Sequence, residues 1–162
     1  MRTLGTALVA LCLVVMGCAA LPQSTAPSEA FQHGVSSSHV ELYWTCSAPA
    51  PGVLEVDGIA QNRWAAQEVR FLEFDLVGVN DRDRTVSDAR ADLPAILLHT
   101  NEVSPFRLTL KTAGTEARYD LYYQYLFNEG DLTSALEPAP VQLFAQQLQR
   151  FMARDACGSH QH

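Results

Sequence analysis

Positive charge is scarce in this chain. Eleven Lys and Arg stand against 18 Asp and Glu over 162 residues, for a formal net charge of -7. There is no basic cluster, so holding nucleic acid by phosphate neutralisation is excluded. Long apolar runs are also absent. The longest, Ala7 to Met16 (ALVALCLVVM), is about half of the ~20 residues needed to span a bilayer. The chain is too short for a dinucleotide-binding domain joined to a substrate domain. It has no G-x-S-x-G elbow, no G-x-x-x-x-G-K phosphate loop and no C-x-x-C pair, so nothing announces nucleophilic catalysis, nucleotide binding or structural zinc. What it does have is apolar material. Hydrophobic residues make up 48% of the chain, with 7 Phe, 5 Tyr and 2 Trp. That is enough for one packed core and excludes wholesale disorder.

The first residues read as an address. Met1 and Arg2 precede the apolar run, as in the n- and h-regions of a secretory signal. The run ends Val15-Met16-Gly17-Cys18, which resembles the lipobox of bacterial lipoproteins: an aliphatic residue, a permissive position, a small residue, then Cys. The resemblance implies cleavage after residue 17 and thioether lipidation of Cys18, with residues 1–17 as the signal peptide. An ordinary secretory signal and a short uncleaved anchor are the alternatives. Two or three acyl chains hold a protein stably where one does not. By the same resemblance, Ala19 in place of Asp after the cysteine favours the outer membrane, facing the periplasm, over the inner one in a two-membrane bacterium. Residues 18–38 are rich in Ser, Pro, Gln and Ala without apolar periodicity, and read as a flexible tether.

From His39 the pattern turns to period two. Val40, Leu42 and Trp44 alternate with His39, Glu41 and Tyr43; Leu54, Val56 and Gly58 alternate with Glu55, Asp57 and Ile59. Val69 to Val79 places Leu72, Phe74 and Leu76 opposite Glu73 and Asp75. Asn80 to Arg84 is a polar hairpin turn, Thr85 to Arg90 returns, and Ile96 to Thr100 is short and apolar. Phe106, Leu108 and Leu110 follow, then Tyr119 to Phe127. About seven or eight strands at this spacing predict an all-β antiparallel sandwich over residues 39–128.

The strands carry a second resemblance. Segment 53–62 (VLEVDGIAQN) resembles a V-x-V-x-G-x-x-x-N opening. Asp81 to Val86 resembles a D-x-x-x-x-V hairpin, and Ser104 to Leu110 a P-F-x-[VL]-x-[VL] strand. Together they are similar to FxLYD-type immunoglobulin-like domains of secreted and lipid-anchored bacterial proteins, with Arg84 where that family has a glycine before the return. The resemblance implies an immunoglobulin-like β-sandwich outside the cytoplasm, and no reaction.

Residues 129–162 differ. Val141, Phe144, Leu148, Phe151 and Met152 fall on one stripe at helical spacing, which predicts a C-terminal amphipathic α-helix over Val141 to Arg154. That helix packs on the sandwich or covers an open edge, docks a partner, or lies on a membrane surface, which its thin positive charge argues against.

With Cys12 removed in the signal and Cys18 lipidated, Cys46 and Cys157 remain as an even pair in an oxidising compartment, and a disulfide between them is expected. The tail residues Cys157, His160 and His162 offer a competing metal reading, and Asp81, Asp83 and Asp88 a weak calcium one. His33, His39 and His99 read as surface or edge histidines. Alternation forbids Tyr119, Tyr123 and Tyr125 from sharing a face with Tyr122, so some of this set is core and some surface. An exposed tyrosine beside Trp44 or Trp64 would make a binding patch for a glycan or a protein strand. The expectation is an envelope lipoprotein without catalytic residues or cofactor. It works by binding another envelope protein or, alternatively, a small molecule, glycan or metal.

Overall fold

The computed structural model describes residues 30–64, 68–93, 97–128 and 146–158. They form nine strands and no α-helix. One sheet contains β1 (His33–Ser36), β2 (Val40–Ala50), β3 (Val53–Asn62) and β7 (Val103–Lys111), in the order β1-β2-β3-β7. The other contains β4 (Val69–Val79), β5 (Thr85–Asp92), β8 (Arg118–Asn128) and β9 (Gln146–Ala153), in the order β5-β4-β8-β9, with β6 (Leu97–Leu98) also paired to β4. Every pairing is antiparallel. The first four strands are called sheet A below, the others sheet B.

The period-two pattern sets which face is buried. Val40, Leu42 and Trp44 of β2, Leu54, Val56 and Ala60 of β3, and Phe106, Leu108 and Leu110 of β7 line the inside of sheet A. Leu72, Phe74 and Leu76 of β4 and Leu121, Tyr123, Tyr125 and Phe127 of β8 line the inside of sheet B. These residues form a single core, so the molecule is a β-sandwich. Phe74 stacks on Phe106 across the two sheets, with ring centroids 4.3 Å apart. The row Trp44–Gly58–Phe106 crosses sheet A, and Gly58 leaves room between the two large rings. A Cβ there would lie 2.5 Å from both the Phe106 ring and the Tyr43 carbonyl oxygen.

The turns follow their residues. Gly52, at φ 76°, closes the β2–β3 hairpin after Pro51 in a left-handed conformation that suits glycine. Asn80 builds the β4–β5 turn with its side chain, whose Oδ1 accepts from the amides of Arg82 and Arg84, each at 3.0 Å.

Two sequence expectations are corrected. The ordered sheet begins before His39, because His33–Ser36 pairs with β2 from His33↔Trp44 to Ser36↔Glu41. That strand lies in the segment read as tether. A four-residue Gly- and Ser-containing run shows no periodicity of its own, and its order comes from its neighbour. The imidazole of His33 stacks on Trp44 at 5.7 Å.

The predicted C-terminal helix is a strand. Gln146–Ala153 pairs with β8 from Leu121↔Ala153 to Asn128↔Gln146, while residues 141–145 lie outside the described residues. The same letters satisfy two periods. Taken as a strand, Phe151 points inward and stacks on Tyr123 at 5.2 Å and on Tyr125 at 5.7 Å. Leu148 and Met152, which a helix would have buried beside it, are 46% and 49% exposed. Tertiary pairing with the aromatic strand β8 overrides the helical spacing.

Candidate functional site

The C-terminal loop closes one end of the sandwich. After β9 the chain turns at Asp155, which has φ 52°. The Asp155 amide donates to Oδ1 of the buried Asp120 at 3.0 Å, and the Ala156 amide donates to the Tyr119 carbonyl at 2.6 Å. Both contacts are to β8 of sheet B. The Ala156 carbonyl then accepts from Trp44 Nε1 at 2.7 Å, and Cys157 is disulfide-bonded to Cys46, both on β2 of sheet A. The expected Cys46–Cys157 bond is therefore present, and it takes Cys157 away from any metal. His160, His162 and Cys18 lie outside the described residues.

The loop also fixes a charge cluster. Arg118 Nε reaches both oxygens of Asp120, at 3.2 and 3.1 Å, and its Nη1 reaches Asp83 at 2.6 Å. Hydrogen bonding to Arg118 holds the Asp83 carboxyl below its ordinary value. Asp83 is thus committed to an arginine, and Asp88 stands on the outer face of β5 with its side chain exposed. The described residues contain no group of three or more metal-ligating side chains.

Two histidines expected at the surface are buried. His39 shares a hydrogen bond of 3.1 Å with the Tyr125 hydroxyl and packs against Phe127 and Trp64, with centroids at 4.1 and 4.6 Å. Burial pushes the Tyr125 phenol up from its ordinary value, against the pull of its hydrogen bonds to Ser37 and His39. His33 is buried against Trp44. Their sequence neighbours give no sign of this, because the covering rings come from other strands. His99 is exposed as expected, with Nδ1 3.0 Å from Glu68.

The open surface with most character is the outer face of sheet B. Alternation puts Tyr122 and Gln124 of β8, Glu73 and Asp75 of β4, Asp88 and Arg90 of β5, and Leu148, Arg150 and Met152 of β9 on that face. Two straight cross-strand rows result. In one, Met152, Tyr122, Asp75 and Arg90 are opposite one another in turn, and Arg90 holds Asp75 through two bonds of 2.6 and 2.9 Å. That hydrogen bonding raises the Arg90 guanidinium further above its ordinary value. In the other, Arg150 Nε donates to Gln124 Oε1 at 3.0 Å and Gln124 Nε2 donates to Glu73 at 2.5 Å. Six large apolar side chains are exposed among the described residues, and four of them, Phe71, Tyr122, Leu148 and Met152, belong to sheet B. Phe71 is turned out by a bulge in β4 at φ 49°.

The tyrosine patch takes a different form from the one expected. Tyr122 is exposed, but Trp44 is buried in the core and Trp64 packs on His39. Opposite Tyr122 stands Met152, while Leu148 stands elsewhere on β9, opposite Leu126; helical spacing places both on one apolar stripe. Period two across Gln147 to Ala153 puts Leu148, Arg150 and Met152 on the face opposite Phe151.

No protein family's sequence pattern matches the chain, and no curated protein matches it. Among solved structures, the fold is similar to the yeast GGA1 GAE domain (GGA1_GAE domain-P21). Identity is 10% and the TM-score is 0.47, over 76% of this chain and 97% of that one. It is also similar to the GAE domain of GGA2p from Saccharomyces cerevisiae, again at 10% identity, with TM-score 0.41 over 74% and 93% of the two chains. Likeness at this level is confined to a shared all-β layout.

Proposed function

We propose that this chain is a lipid-anchored, non-catalytic binding module of a bacterial cell envelope. In this reading an immunoglobulin-like sandwich hangs from Cys18 at the periplasmic side of the outer membrane and engages another envelope protein. The immunoglobulin-like description draws support from the strand order. β2-β3-β7 facing β5-β4-β8-β9 follows the A-B-E and C′-C-F-G arrangement of such domains. The lipobox-like run ending at Cys18 supports the anchor. The Cys46–Cys157 disulfide supports an oxidising compartment.

The observation that carries binding is the outer face of sheet B. Four of the six large apolar side chains exposed among the described residues stand on this sheet. Apolar groups collected in this way mark interaction surfaces more often than bare solvent faces.

A second reading, an accessory binder of a glycan or other polar small molecule, has one observation in its favour. Tyr122 stands in a shallow trough of about 440 Å³ lined also by Glu73, Asp75, Arg90, Gln124 and Arg150. An aromatic ring amid planar hydrogen-bonding groups suits a sugar face.

The anchor is tested with the full chain carrying Cys18→Ser, followed by envelope fractionation and incorporation of labelled palmitate. Wild type incorporates label and fractionates with the envelope; the variant loses both. A variant that stays with the envelope as firmly as wild type, or a wild type without label, overturns the anchor. Photocrosslinkers at Tyr122 and Leu148 test the surface. A reproducible protein adduct supports binding, and its absence with a sugar-protected trough moves the function to the second reading.

A further inference from the structure

We propose that two copies of this chain pair through the outer face of sheet B, about a two-fold axis that runs along the strands between β4 and β8. This rests on the reading of that face as the binding surface, and it names the occupant as a second copy of the chain.

The face is open to solvent. Tyr122, Leu148 and Met152 are exposed on it, and so are Arg90, Asp92 and Arg150. Its charge is divided between its two margins. β9 (QQLQRFMA) brings Arg150 and no acidic residue. β5 brings Asp88 and Asp92, and the Arg90 between them is tied to Asp75. In one cross-strand row Arg150, Gln124, Glu73 and Asp92 are opposite one another in turn. That row has a cation at one end and a carboxylate at the other, three strand spacings or about 14 Å apart. The two ends do not meet within one chain.

A two-fold axis along the strands turns the sheet over and exchanges its margins. β9 of one copy then lies on β5 of the other, and each row meets itself reversed. Arg150 comes over Asp92 of the second copy, and the symmetry makes this contact twice. In the neighbouring row of Met152, Tyr122, Asp75 and Arg90, Met152 comes over the aliphatic stem of Arg90. Tyr122 comes over the Asp75–Arg90 pair, where its ring can stack on the guanidinium. An axis across the strands does the opposite. It leaves β9 on β9 and sets Arg150 on Arg150 and Glu73 on Glu73, or, moved by half a row, Asp75 on Glu73. Like charges brought together in this way reject that alternative. Four strands' width and four outward rows give each copy about 500 Å² of face, so a pair buries about 1,000 Å², where specific interfaces begin. An interface of that size makes a transient dimer, and confinement by the proposed lipid anchor would raise its effective concentration.

The test is sedimentation equilibrium of the full-length chain in density-matched detergent, with micelles in excess, up to about 200 μM protein. The wild type should pass from monomer to dimer. Arg150→Glu and Asp92→Arg each bring like charges together twice, and each should weaken self-association about tenfold or more. An equal mixture of the two variants restores both contacts: the new glutamate meets the new arginine, and the native arginine meets the native aspartate. The mixture should recover to within about threefold of wild type. Both positions are exposed, so the melting temperatures should match wild type. If either variant melts early, Arg150→Gln, which removes the cation without adding a like charge, should still weaken association about threefold or more. A wild type that stays monomeric, variants that associate as well as wild type, or a mixture that does not recover overturns the proposal. If the wild type stays monomeric and the Tyr122 photocrosslinker captures a different protein, pairing of copies fails and the binding-module reading stands. If it stays monomeric and captures nothing, both fail.

Discussion

Trp44 and Ala156 lie 112 residues apart in sequence, yet the indole Nε1 of the first donates to the carbonyl of the second at 2.7 Å. The next residue, Cys157, is bonded to Cys46 two positions along the strand from Trp44. A polar bond and a covalent bond therefore fasten the same loop to sheet A, while the amides of Asp155 and Ala156 fasten it to sheet B. The two sheets are stapled at the point where the chain leaves its last strand.

Removing the covalent part should be costly. The bond closes a separation of 111 residues, and loss of a native disulfide of this kind costs about 2–5 kcal/mol. Urea unfolding of Cys46→Ala/Cys157→Ala is expected to show that loss. Trp44→Phe keeps an aromatic side chain but a smaller one without the N–H, so it strands the buried Ala156 carbonyl and should cost at least about 1–3 kcal/mol with the disulfide intact.

Gly58→Ala should destabilise despite its small size. The added methyl would meet backbone on one side and the Phe106 ring on the other, both at 2.5 Å. The ring is already stacked on Phe74 and the carbonyl is part of a ladder, so neither yields freely. A loss of about 1–3 kcal/mol in unfolding free energy, with little change in denaturant slope, is expected.

A pair of substitutions in β9 separates strand from helix. Phe151→Ala removes the ring packed on Tyr123 and Tyr125 and should cost about 2–4 kcal/mol. Leu148→Ser alters an exposed position and should stay within about 0.5 kcal/mol. Similar large losses at both positions in thermal or urea unfolding would contradict the strand.

Acid should weaken the fold through two carboxylates at the turn end of sheet B. Burial pushes Glu116 up, but its hydrogen bonds from Ser87 Oγ and the Ala113 amide outweigh this and leave it below the ordinary value. Asp83 is held down by Arg118. For a carboxyl depressed in the folded state, the stabilisation is complete above its unfolded pKa and disappears as pH falls through the folded one. Melting temperature should therefore decline as pH drops below the ordinary carboxylate range of about 4 to 4.5. Glu116→Gln should flatten part of that decline.

Much of the sandwich was readable because burial on one face leaves a period of two. Leu72, Phe74 and Leu76 of β4 and Phe106, Leu108 and Leu110 of β7 point inward as their spacing requires. Asn80 could be placed in a turn because its side chain can replace backbone acceptors locally. The Cys46–Cys157 pair follows from the number of thiols left once an expected leader and lipid are assigned Cys12 and Cys18. The failures share a cause. His33, His39 and β1 owe their environment to Trp44, Tyr125 and β2, partners that local sequence does not specify. β9 fits both helical and extended spacing, and only the aromatic row of β8 decides between them. Helical spacing therefore puts Leu148 and Met152 on one stripe with Phe151, and hides the outer face of sheet B to which they belong.

β1 enters sheet A at its margin and is held by four residue pairs, His33 to Ser36 against Trp44 to Glu41. Any tension arriving from the N-terminal side must load this short ladder before it reaches β2. If β1 peels away, each freed residue adds about 3.3 Å of reach, while Trp44 and the Cys46–Cys157 bond keep the body shut. The strand would then act as a mechanical fuse, yielding over four residues and sparing the core behind them.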